Sequence, residues 1–216
     1  MTAMAPLGLQ WRAMKNIVIL ISGRGSNMQA VVRACAAEQW PARVAAVISN
    51  KADAKGLEFA KAHGIPTAVV SNKDYPTREL FDAALQQVID GFAPDLVVLA
   101  GFMRILTAGF VEHYTGRLLN IHPSLLPLFP GLDTHRQALA AGVAEHGATV
   151  HFVTAQLDHG PVVAQARIEV RPGDTEDTLA ARLLSEEHKL YPYAVRLFVE
   201  DRLSIVDDGV VIAEAQ

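Results

Sequence analysis

The chain has 216 residues, half of them hydrophobic and 19% charged, with a formal net charge of −4. That length suits one α/β domain, or at most two small ones, with a sizeable core. The acidic balance and the lack of any Lys/Arg run argue against a nucleic-acid partner, and no apolar run reaches membrane-spanning length, while a small phosphate ligand stays open because it needs only a local cradle.

Residues 1–14 show neither a cleavable apolar region nor periodicity, and Met14 directly precedes the first strand. They read as a disordered or extended leader, not a targeting signal. Residues 15–21 form a continuous apolar run, which predicts a fully buried parallel strand. A helix follows over 26–38, with Met28, Val31, Val32 and Cys35 on one face. Cys35, the only cysteine, reads as a small buried residue and agrees with a reducing, cytoplasmic compartment. Residues 44–48 predict a strand, 54–63 a helix stopped by Gly64, and 67–70 a short strand. A helix over 77–90 rests on Leu80, Leu85, Val88 and Ile89 and closes at Gly91; a buried strand over 96–100 follows. Alternating strands and helices imply right-handed crossovers and a mostly parallel, Rossmann-like sheet flanked by helices. The later half differs: strands over 150–153 and 162–170, split by the turn Asp158-His159-Gly160-Pro161, predict an antiparallel hairpin extension. A long final helix capped at Asp174 or Thr175 runs to about 200, and 206–216 read as a tail.

The densest chemistry lies in Asn120-Ile121-His122-Pro123-Ser124-Leu125-Leu126-Pro127. On a strand, Asn120 and His122 point the same way, roughly 6–7 Å apart. Pro123 pushes His122 towards extended geometry. Two hydrogen-bond donors held side by side at a sheet's edge suit an oxyanion. Asp158 is either a turn residue chosen for its backbone or a carboxylate brought beside His122 to orient it and assist proton transfer. The turn Ser22-Gly23-Arg24-Gly25-Ser26-Asn27 joins a strand to a helix N-terminus and fits a monophosphate cradle or simply a tight turn. Met28 and Asn50 stand where a dinucleotide fingerprint wants a small residue and an acid. In Gly101-Phe102-Met103-Arg104-Ile105-Leu106, Met103, Ile105 and Leu106 could wall a flat ligand, or the loop could be tucked into the core. His151 reads as a packing residue; His135, His146 and His159 look scattered in loops, with no zinc spacing, so no metal is expected. Ser124 lacks a nucleophile elbow and is expected to bond the loop backbone.

These segments, with Ser49-Asn50-Lys51-Ala52-Asp53-Ala54, His151-Phe152-Val153 and Glu187-His188, follow one another from about residue 15 to 205 as they do in a known family. The chain resembles the folate-dependent phosphoribosylglycinamide formyltransferases. The resemblance implies one formyltransferase domain over 15–205. It implies formyl transfer from the co-substrate 10-formyltetrahydrofolate to glycinamide ribonucleotide in purine synthesis, without a metal, with a homodimer as a candidate assembly. Asn120, His122 and Asp158 match the catalytic positions. Gly25, Ser26, Asn27 and Glu187 match the ribonucleotide side. Met103, Arg104, Ile105, Leu106, Val153 and Thr154 match the folate pocket. Asp133 stands where certain members carry histidine and Ala155 where some carry an acid, both expected in loops on the folate side.

Formyltetrahydrofolate deformylase, which uses water as acceptor, shares much of this core but usually carries an extra N-terminal regulatory domain. Methionyl-tRNA formyltransferase needs a further C-terminal domain and a basic surface. A non-catalytic Rossmann-type nucleotide binder would leave the co-occurrence of Asn120, His122 and Asp158 without a reason.

Overall fold

A computed structural model describes residues 14–214. Five strands wind in parallel: β1 (Lys15–Ile21), β2 (Ala42–Ser49), β3 (Thr67–Val69), β4 (Leu96–Leu99) and β5 (Leu118–His122). Then β6 (Glu145–Phe152) and β7 (Val162–Glu169) add antiparallel, giving the order β3-β2-β1-β4-β5-β6-β7. β5 is thus an inner strand, and Asn120 and His122 stand at its carboxyl end, not on a sheet edge.

Alternation along β1 explains why the sheet is covered on both faces. Ile17, Ile19 and Ile21 enter one core with Met28, Val31 and Val32 of α1 (Ser26–Ala37) and Leu183, Tyr191 and Val195 of α6 (Glu176–Val199). Val18 and Leu20 enter the other, with Phe81, Leu85 and Ile89 of α3 (Arg78–Asp90) and Phe110 of α4 (Ala108–His113). Cys35 is buried on the α1 face, as expected. The strand order reverses between β1 and β4, so loops leaving their carboxyl ends splay apart and open a crevice. Tyr191 of α6 packs under the neighbouring pair β4 and β5, its hydroxyl donating to the Leu99 carbonyl at 2.8 Å and lying 3.0 Å from the Leu119 carbonyl.

Several elements depart from the sequence reading. The helix expected over 54–63 is α2 (Gly56–Ala62). In α3 the buried stripe runs through Phe81, Asp82, Leu85 and Ile89, and Leu80 is half exposed. Thr77 caps α3, and of the residues expected on its inner face Leu85 and Ile89 are buried. Gly91 keeps helical angles; the left-handed turn falls on Ala93, at φ 47°. The short helices α4 and α5 (Thr134–Ala141) were not anticipated. β6 starts at 145, five residues before its predicted start. The stretch read as a tail, 206–216, holds β9 (Gly209–Ile212), which pairs with β8 (Leu203–Val206) just before it. The leader, apart from Met14, lies outside the described residues. Among the described residues no helix is long and apolar enough to cross a membrane.

Candidate active site

The crevice gathers loops from β1, β4 and β5, and from the β6–β7 connection. After β1 the chain turns at Gly25, whose φ of 65° places it in the left-handed region. No side chain caps α1, so its first N–H groups remain available to an anion. Asn27 donates to the carboxylate of Glu187 at 2.8 Å, which ties the start of α1 to the middle of α6. Burial pushes the Glu187 carboxyl up, and the bond from Asn27 opposes that shift. A β-branched residue at Gly25 would be strained and would press on Met28 Cε, 3.0 Å from its Cβ. Gly25→Val is therefore expected to raise KM for a phosphorylated substrate at least tenfold, whereas Gly25→Asn, which tolerates this φ, stays closer to wild type. Substrate titration against both variants checks the expectation.

At the end of β5 the side chains of Asn120 and His122 face one way, as alternation requires. His122 is buried, with Nε2 2.9 Å from the Phe129 carbonyl and Nδ1 3.5 Å from Asp158 Oδ2. Both ring nitrogens thus face oxygen acceptors, an arrangement that suits a ring carrying two protons. Asp158 arrives through a tight turn at φ 51°, and its Oδ2 also accepts the Gly131 N–H at 2.9 Å. The turn needs Gly160: a Cβ there would lie 1.7 Å from the Phe152 carbonyl oxygen. Asp158 is therefore both a turn residue and a neighbour of His122.

His151, read as a packing residue, is buried but reaches the same cluster. Its Nδ1 faces the Phe152 carbonyl at 2.9 Å, which assigns the proton there and leaves Nε2 as an acceptor 3.5 Å from Asn120 Nδ2. Burial lowers its pKa, in keeping with a neutral ring. That contact turns the Asn120 amide nitrogen towards His151, at a position that lines the crevice. Asp158 Oδ1 is 3.9 Å from the same Nε2.

Beyond His122 the loop is braced from several sides. Ser124 donates to the Leu128 carbonyl at 2.6 Å, the backbone role expected of it. Thr149 donates to the Ser124 carbonyl at 2.7 Å and Thr134 to that of Pro123 at 2.7 Å. The Leu126–Pro127 peptide is cis.

Three spaces meet at this cluster. A cleft of about 620 Å³ runs from Asn27 and Glu187 past Asn120 and His122 to Asp133 and His135. A second, of about 640 Å³, lies between Met103, Ile105, Leu157 and Asp158, with Arg78 and Arg104 on its wall. A slot of about 130 Å³ connects Leu106, Val153 and Thr154 to Asn120 and His151. The predicted residues therefore converge, except that Gly25 and Ser26 lie off the cleft wall, beside Asn27. Asp133 lines the cleft of Glu187, next to Gly131 and Leu132, which border both large spaces, whereas Ala155 borders the slot. In the loop after β4, Phe102 enters the core while Met103 and Ile105 are more than 60% exposed, so the loop is half core and half wall. Arg78 was missed: it lies 26 positions from Arg104, and only the packing of α3 against that loop brings them to one wall.

His135 and His146, read as scattered in loops, lie on α5 and β6 with Nδ1 and Nε2 3.1 Å apart. Burial lowers both, His146 to about 4. An imidazole in the unfolded chain takes up its proton near pH 6.5. Between those values the unfolded chain binds a proton that folded His146 refuses, so stability is full above pH 6.5 and falls towards pH 4, by on the order of 3 kcal/mol for His146 alone. Glu187, raised in the fold, works in the opposite direction at acid pH. Urea midpoints should decline from pH 7.5 to 5; a flat profile would contradict the burial of this pair.

The formyl transferase family model matches residues 15–195. Phosphoribosylglycinamide formyltransferase of Escherichia coli (strain K12) is 55% identical over 194 residues, 90% of this chain and 92% of that protein. The enzyme of the same name from Haemophilus influenzae is 45% identical over 90% of this chain and 92% of its own length. Among solved structures, glycinamide ribonucleotide transformylase 1 from Symbiobacterium toebii superposes with a TM-score of 0.91 at 48% identity, covering 94% of this chain and 95% of that one.

Proposed function

The chain belongs to the formyl transferase family, among its phosphoribosylglycinamide formyltransferases, and from that premise we propose that it passes the formyl group of 10-formyltetrahydrofolate to the amine of glycinamide ribonucleotide through a tetrahedral oxyanion held by Asn120 and His122. The observation that carries this reading is the meeting of Asn120, His122 and Asp158 where the two large clefts join.

The cleft beginning at Asn27 and Glu187 suits the ribonucleotide, with its phosphate towards the open N–H groups of α1. The other cleft suits the folate. Met103, Ile105, Leu132 and Leu157 are well exposed around it and give apolar walls to a flat ring, and Arg78 and Arg104 suit a carboxylate-bearing tail.

At the junction, the substrate amine forms a bond to the formyl carbon and the carbonyl oxygen becomes an oxyanion. The Asn120 amide donates one hydrogen bond to it. His122 donates the other from Nδ1, whose contact with Asp158 is loose enough at 3.5 Å to be shared. The Asp158 carboxylate stabilises the charged ring and relays the amine proton, through water, to the departing N10 as its bond to the formyl carbon breaks. Nε2 stays on the Phe129 carbonyl and fixes the plane of the ring. Aligning two substrates in adjoining clefts accounts for much of the remaining acceleration.

The test is a spectroscopic assay for tetrahydrofolate with and without glycinamide ribonucleotide. Product only in its presence is expected; equal product without it would favour hydrolysis by the deformylase route.

A further inference from the structure

The loop between β4 and α4, residues 100–107, carries Met103, Arg104, Ile105 and Leu106, yet the bonds that hold its backbone come from outside both clefts. Ser22, at the end of β1 and 5% exposed, lies beneath it. The Ser22 hydroxyl accepts the Met103 N–H at 2.8 Å and donates to Asn50 Oδ1 at 2.6 Å. Asn50 is equally buried, and its amide donates to Asn72 Oδ1 at 3.0 Å, in the 3₁₀ turn Asn72–Asp74. The donor in that last bond is the amide nitrogen, so the amide oxygen is left for Ser22. With its proton committed to Asn50, the hydroxyl presents a lone pair to Met103 N–H. The Ser22 N–H adds a bond to the Gly101 carbonyl at 3.2 Å. At the far end of the loop, buried Asp82 of α3 accepts the Thr107 N–H at 2.6 Å.

Between these two anchors, Ile105 stands out into the folate cleft and Met103 onto the border it shares with the ribonucleotide cleft, both with little packing of their own. Their placement depends on the backbone, and the backbone at Met103 depends on one hydroxyl. We propose that Ser22, oriented by Asn50, is a positioning residue for the formyl donor: it holds the Met103 backbone so that the cleft wall is preformed before the folate arrives. The proposal rests on the assignment of this cleft to the folate.

A bond of this kind, once lost, is felt as a three- to tenfold weakening of whatever depends on it, by order of magnitude. Ser22→Ala is therefore expected to raise KM for 10-formyltetrahydrofolate by about three- to tenfold. KM for glycinamide ribonucleotide should stay within about twofold, since Met103 only borders that cleft while its far end at Asn27 and Glu187 takes no bond from the hydroxyl, and kcat at saturation should stay within about twofold because the Asn120 cluster takes none either. Asn50→Ala, which frees the hydroxyl to rotate, should show the same selective rise and serves if Ser22→Ala fails to fold. Three unchanged constants would overturn the proposal. So would a parallel loss in both KM values and kcat with a lowered melting temperature, which is the signature of a merely structural bond. Titration calorimetry with tetrahydrofolate separates the two layers. If wild type does not bind it, the assignment of the cleft fails; if wild type and Ser22→Ala bind it equally, only the positioning role fails.

Discussion

Asn120→Ala is expected to lower kcat by roughly 10²–10³ while changing KM for the ribonucleotide far less. Among the described residues the amide bonds to His151 Nε2 at 3.5 Å, and that long bond contributes little to the fold. In the proposed mechanism alanine removes a donor aimed at charge that exists only while the tetrahedral species lasts, so the loss falls on turnover and not on ground-state binding. His122→Ala should slow turnover as well but is a less clean variant. It deletes the bond to the Phe129 carbonyl and leaves the Asp158 carboxylate, its side chain 6% exposed, without the ring beside it. Its melting temperature should fall alongside its rate. Steady-state kinetics with both substrates varied, beside a thermal melt, distinguishes the two. Wild-type turnover in Asn120→Ala would remove the amide from the mechanism.

Asp158→Asn should cost turnover by about 10²–10⁴ with the fold preserved. Asparagine is isosteric, can sit at the same left-handed φ, and still offers an oxygen to the Gly131 N–H. What it lacks is the negative charge opposite Nδ1 of His122, and with it both the stabilisation of a charged ring and the site that takes the amine proton. In the proposed mechanism His122 and Asp158 act as one unit, so the double variant His122→Ala with Asp158→Asn should be hardly slower than the slower single variant. A multiplicative loss would mean that the two residues act separately, and an unimpaired Asp158→Asn enzyme would reduce this aspartate to its turn.

Much of the parallel half was legible because its strands are buried on both faces and so read as unbroken apolar runs, as in Ile17-Val18-Ile19-Leu20-Ile21. Less was legible where a polar residue is drawn inside. Asp82 looks like a solvent-facing polar position, yet it lies inside, because its carboxylate is needed by Thr107. The six-residue α4 is too short for periodicity to show, although its Thr107 cap is an ordinary start signal. The β8–β9 hairpin also carried a signal, Asp208-Gly209 between Val206 and Val210, that a reading of the segment as a tail passed over.

In the site, alternation alone placed Asn120 beside His122, since that relation is local. The approach of Asp158, 36 positions away, depends on the antiparallel register that sets Asn120 opposite His151 and then turns the chain back at Gly160. No single-residue pattern encodes that register. The pairing of His135 with His146 was hidden for the same reason: one comes from a helix and the other from a strand, and only folding makes them neighbours.

The tight fit at position 160 bears on how this chain can change over generations. No side chain can be accommodated there without displacing the peptide that delivers the carboxylate, so the codon has almost no neutral alternatives. His159 beside it is exposed and free to drift. Under selection for growth without supplied purines, a randomised library of this loop should keep glycine at one site and scramble the next.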